Sequence, residues 1–169
     1  MEEDRKWKTN CCCELTFETI PANRAPAIAL SFWLQPTATG EICGKGNEGH
    51  IEISAQGLIP LGVYTVFFVT DRGVWPAAPL NVVYTSDGFD PNRLIVNSNG
   101  TLNYYVAPLN YNPFRGIPTS SGLAKITDVI ISLHSNRLTN GISLGQPNIN
   151  VFTQLTAPLC SLRAEDEES

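Results

Sequence analysis

The sequence is poor in the side chains that catalysis and ion binding use. Two histidines, His50 and His134, stand among 169 residues, and only 16% of the chain is charged. A tetrahedral metal shell is usually filled by several His, Cys or carboxylate ligands, and the consecutive Cys11, Cys12 and Cys13 lack the C-x2-C spacing that lets two thiolates chelate one ion. No metal centre and no cofactor are therefore expected. A nucleophile set in a G-x-S-x-G turn is missing, and the histidines carry no recognisable partner signature. "GEICGKGNEG" has glycines and a lysine without the G-x-x-x-x-G-K-[ST] order of a phosphate cradle. Glu41, Glu48, Asp71, Asp87, Asp90 and Asp128 are the pool from which a sugar-cleaving pair of carboxylates would be drawn, and nothing in their spacing selects two. The expectation is a protein with no catalytic residues, not an enzyme.

Long apolar runs are missing too. No stretch approaches the roughly 18 apolar residues that cross a bilayer, so no membrane span is expected. Met1 to Asn10 carries charges with no apolar segment after it, so the sequence as given shows no secretion signal. Much of the net charge of −5 lies between Arg163 and Glu168, where one arginine meets four acids. Residues 161–169 read as a solvated, disordered acidic tail. There is no basic footprint for nucleic acid.

What the chain does have is 43% hydrophobic residues, 13 glycines and 12 prolines, the composition of a folded domain cut by turns. Residues 1–13 read as a flexible Cys-rich leader and 14–160 as one domain. "ELTFETI" alternates, placing Leu15, Phe17 and Ile20 as the apolar residues of a half-buried strand. "AIALSFWL" reads as a strand buried on both faces or lying at an interface, and 36–49 as a Gly-rich loop. "HIEISAQGL" puts Ile51 and Ile53 on one face and His50, Glu52 and Ser54 on the other. "VYTVFFV" reads as the central core strand. Further strands follow at "LNVVYT", "RLIVN", "TLNYYV", "KITDVIISLH" and "NINVFTQL", with a hairpin at Ser98–Gly100 and room for a short helix within 119–130. The fold class is all-β: an antiparallel β-sandwich or jelly roll of about eight to nine strands.

Five cysteines limit the possibilities further. Cys43 precedes one strand and Cys160 follows the last, so one arrangement staples these two together. That leaves Cys11, Cys12 and Cys13, an odd remainder that implies a free thiol or an intermolecular bond. Neighbouring cysteines in a strand point to opposite faces and offer thiols in several directions.

Two resemblances follow from these residues. "GLIPLGVYTVFFV", "DVIISLHSNRLTNG" and the closing "VFTQLTAPLC" resemble a group of bacterial secreted β-sandwich proteins without an established activity, which implies the fold alone. A Cys-rich N-terminal connector of about a dozen residues, a start without a secretion signal and a jelly-roll body resemble the endospore appendage pilins of spore-forming bacteria. That resemblance implies a filament in which Cys11, Cys12 and Cys13 are connector thiols, Cys43 and Cys160 are acceptors in other subunits, and strands pair edge to edge. The expected function is a structural subunit on an extracellular, cell or spore surface. Its partners are copies of itself, with Leu15, Phe17 and Ile20 on the pairing strand. The alternative is a surface-displayed binding module, with carbohydrate as one ligand class, using Trp75, Tyr104, Tyr105 and Tyr111.

Overall fold

A computed structural model describes residues 10–77, 92–139 and 144–160. The elements in order are β1 (Asn10–Thr16), β2 (Glu18–Thr19), a 3-10 turn (Pro21–Asn23), α1 (Leu30–Trp33), β3 (Thr37–Lys45), β4 (Glu48–Gln56), β5 (Val63–Thr70), β6 (Gly73–Pro76), β7 (Leu94–Ile95), β8 (Leu102–Leu109), β9 (Ile117–Thr119), β10 (Gly122–Ala124), β11 (Ile126–His134) and β12 (Val151–Pro158). The protein is all-β. One sheet runs β1-β3-β4-β8 and the other β2-β12-β11-β5-β6, with β7 also on β5; β9 and β10 form a separate hairpin. Every pairing between these strands is antiparallel.

The periodicity of each strand follows from where it lies. In β4, Ile51, Ile53 and Ala55 are buried while Glu52, Ser54 and Gln56 are exposed, the alternation of a strand with one wet face. β5, between β11 on one side and β6 and β7 on the other, is buried almost throughout and so on both faces. Leu15, Ile42, Ile51, Ile53 and Tyr104 from the first sheet join Val66, Phe68, Val129, Ile131 and Leu155 from the second in one core, as the two layers of a sandwich do.

The N-terminal strand belongs to both layers. After β1 the Phe17 N–H still donates to Ala38 O at 3.2 Å, and Glu18–Thr19 then pairs with β12 in the other sheet. Asn10–Thr16 are paired with β3, so Cys11–Cys13 sit in a strand rather than in a flexible leader. Residues 1–9, the strand expected at 80–85 and the acidic tail at 161–169 lie outside the described residues.

Four other expectations need correction. "AIALSFWL" is not a buried strand: it curls into α1, with Leu30 48% and Phe32 60% exposed and Trp33 fully buried. Pro26 and Pro36 bracket it, and the indole N–H of Trp33, at the end of α1, donates to Ile20 O at 2.8 Å. The Gly-rich stretch is not a loop but β3. Gly40 and Gly44 are there because backbone and side chain come close: a Cβ at Gly40 would meet Glu52 O, and one at Gly44 the Asn112 amide. Ser98–Gly100 does not join a hairpin, since β7 and β8 lie in different sheets. Asn97 holds this bend instead, its Oδ1 accepting from Asn99 N at 3.2 Å and Thr101 N at 3.0 Å. Within 119–130 the chain forms a hairpin and a strand, not a helix.

Candidate functional site: the edge strand and the face it borders

β1 pairs with β3 from Asn10↔Lys45 to Thr16↔Thr39 without a register shift. Among the described residues it has no strand on its other side. The Phe17–Ala38 hydrogen bond fixes the parity of the ladder. In an antiparallel pair, hydrogen-bonded and non-hydrogen-bonded positions alternate. Cys13 and Leu15 therefore bond to β3, whereas Cys12, Glu14 and Thr16 turn their backbone groups to the open edge.

Both disulfides hold this strand. Cys12 is bonded to Cys43 directly across the β1–β3 ladder, with Cα atoms 4.0 Å apart, the narrow spacing of a non-hydrogen-bonded pair. Cys13 points to the opposite face and is bonded to Cys160, just past β12, with Cα atoms 6.0 Å apart. The pairing considered from sequence, Cys43 with Cys160, does not occur. Four of the five expected intersubunit cysteines are thus bonded within the chain. Cys11, half-buried, lies outside both disulfides. It borders a shallow cavity of about 650 Å³ with Cys12, Cys43, His50 and Pro108.

The inward residues serve the chain's own core. Leu15 and Phe17 are buried there. Half-buried Ile20 accepts the Trp33 indole bond through its carbonyl and donates to Gln154 O at 3.0 Å. Gln154, fully buried, is satisfied at both ends: its Nε2 donates to Trp33 O at 3.0 Å and its Oε1 accepts from the Tyr64 hydroxyl at 2.6 Å. The Tyr64 oxygen in turn accepts from Ile59 N at 3.1 Å.

The outward face carries an arrangement the sequence conceals. Glu14 stands opposite Glu41, Glu41 opposite Glu52, and Glu52 opposite Tyr105, a row across all four strands of the sheet. These residues, with Asn103, Ser54, Thr16 and Thr39, border a groove of about 740 Å³. Cys12, Cys43 and Glu41 bring their sulfurs and carboxylate within 4.8 Å of one another. Alternation in β1 and β4 does mark Glu14 and Glu52 as outward. The register that aligns them, and β3 itself, were not legible.

Of the aromatics considered as a ligand platform, Tyr104 and Tyr111 are buried and Trp75 is half-buried on β6; Tyr105 is 65% exposed. Burial raises the phenols of Tyr64, Tyr104 and Tyr111 well above the ordinary range; the bond from Ile59 offsets this in part at Tyr64, and Tyr111 adds to it at Tyr104. His134 is a hydrogen-bonded strand-end residue, its Nε2 2.8 Å from Thr65 Oγ1. No helix among the described residues is long and apolar enough to cross a membrane. No family model and no curated protein matches the chain.

Proposed function

We propose that the protein is a structural subunit that associates with copies of itself through the open edge of β1, on an extracellular, cell or spore surface. The observation that carries this reading is a seven-residue edge strand held by two disulfides, one to each layer of the fold. An open edge offers unpaired donors and acceptors to an incoming strand, and folds that avoid pairing keep such edges short or covered. The second sheet follows that rule, ending on the two-residue β2 and the four-residue β6. β1 is instead long and riveted, so it would not peel away when a neighbour adds to it. Two disulfides suit an oxidising environment. Because Cys12, Cys13, Cys43 and Cys160 are bonded internally, backbone pairing rather than thiol cross-linking is the principal contact in this reading. Head-to-tail pairing that does not close on itself propagates as a fibre.

Glu14→Pro tests it. Proline there removes one outward N–H and leaves the bonds to β3 in place. Light scattering and electron microscopy should show concentration-dependent assemblies of the wild-type protein and smaller or no assemblies of the variant, with unchanged circular dichroism. A wild-type protein that stays monomeric at all concentrations, or a variant that assembles equally well, would refute it.

A binding module is the second reading, favoured by exposed Tyr105 beside the groove on the first sheet. With Tyr104 and Tyr111 in the core, that platform has one ring where several were expected. Retention on a glycan array that disappears in Tyr105→Ala would support it.

A further inference from the structure

We infer that Cys12, Cys43 and Glu41 form a site for a thiophilic divalent cation, zinc by its chemistry, that exists when the Cys12–Cys43 disulfide is reduced. The three ligand atoms already lie within 4.8 Å of one another. Zinc binds thiolates at about 2.3 Å and so holds two of them roughly 3.8 Å apart around a tetrahedron. The Cα separation of 4.0 Å across the ladder fixes both cysteines on one face, and rotation about their Cα–Cβ bonds suffices to open the sulfurs to that distance. Glu41 precedes Cys43 by two residues on the same strand and shares its face. His50, half-buried, is paired with Cys43 across the β3–β4 ladder, and it or water completes the fourth position.

Charge and ligand type select the ion. Two thiolates and a carboxylate outweigh the charge of a divalent cation, and the neighbouring Glu14 and Glu52 add negative potential at the same face. Thiolates favour zinc over calcium or magnesium, which take oxygen shells. C-x2-C spacing is unnecessary here because the β1–β3 register does the chelating.

The exchange between the two states balances. A dithiol reductant gives two electrons and two hydrogens to the disulfide, leaving two Cys thiols and its own cyclic disulfide. Zinc then displaces both thiol protons to solvent. A two-electron oxidant, such as another disulfide, reverses the sequence: the sulfurs rejoin and the ion leaves. The site lies on the outer face of the ladder and not on its open edge, and it belongs to the reduced protein, in which the Cys12–Cys43 bond that helps hold β1 for assembly is open.

The test uses the full chain reduced with a phosphine, which does not chelate, and titrated with Co2+ as the spectroscopic substitute for zinc. One equivalent should bind, giving thiolate-to-cobalt charge-transfer and tetrahedral ligand-field bands, while the oxidised protein gives neither. Cys12→Ser and Cys43→Ser should abolish the bands. Glu41→Gln should weaken binding by at least the about tenfold that loss of even an outer-shell partner costs. Cys11→Ser and the double variant Cys13→Ala/Cys160→Ala should retain them. Absence of charge-transfer bands in the reduced wild type overturns the inference, as do bands that survive Cys43→Ser. A reduced chain that loses its strand signature by circular dichroism and does not regain it with Co2+ or Zn2+ also overturns it.

Discussion

Cys13 on the first strand is bonded to Cys160, which follows the last strand, across 147 residues of sequence; Cys12 is bonded to Cys43 across 31. In the chain-entropy account the longer closed loop restricts the unfolded state more, and for these separations the difference is about 1 kcal/mol. Cys13→Ala/Cys160→Ala should therefore lose about 2–4 kcal/mol, and Cys12→Ala/Cys43→Ala about 1 kcal/mol less, by urea denaturation under non-reducing conditions.

Gln154 joins Trp33 and Tyr64 in the interior, bonded to the carbonyl of one and the hydroxyl of the other. Gln154→Leu keeps the volume and leaves the Tyr64 hydroxyl and the Trp33 carbonyl without that partner. Each buried group so orphaned costs about 1–3 kcal/mol, and the urea midpoint should fall accordingly. Tyr64→Phe removes the hydroxyl from the same chain of bonds and should show a smaller loss when made in the Gln154→Leu background than alone.

Glu41 lies between Glu14 and Glu52 in adjacent strands, so its charge faces a like charge on both sides. Glu41→Gln should stabilise the oxidised protein by about 0.2–1 kcal/mol. The gain should shrink as salt is raised. The same substitution should weaken Co2+ binding by the reduced protein, so one residue would trade fold stability against ion affinity.

Alkaline pH acts through the buried phenols. Tyr64, Tyr104 and Tyr111 have pKa values raised from the ordinary 10.0 chiefly by burial. The unfolded chain gives up these protons at lower pH than the folded one, so their contribution is complete below pH 10 and is lost as pH rises through the folded values. Stability should fall from about pH 10 upward, with a slope of up to about 1.4 kcal/mol per pH unit for each tyrosine. Ultraviolet titration should show these phenolates appearing together with loss of strand circular dichroism, not before it.

Much of the all-β character was written in local pattern. β4, β5, β11 and β12 have side-chain alternation or apolar runs that lead directly to their places in the sheets. β3 was hidden because its glycines answer to neighbours distant in sequence: Gly44 to Asn112, and Gly40 to the backbone of β4. α1 was hidden for the opposite reason, since an apolar run does not reveal that Leu30 and Phe32 will be left outside. The disulfides and the glutamate row depend on register, and register is set by the whole sheet. Cys12 and Cys13 were recognisable as disulfide candidates; that they would rivet their own strand, with Cys11 outside both bonds, was not.

The bond between Cys13 and Cys160 also sets the path of mechanical force. Tension applied to the chain before Cys13 and after Cys160 passes from sulfur to sulfur and bypasses the strands between them. Only the start of β1, paired to β3 and bonded through Cys12 to Cys43, shares that load. A subunit pulled from these two points would keep the strands from β4 to β12 off the main path of the force.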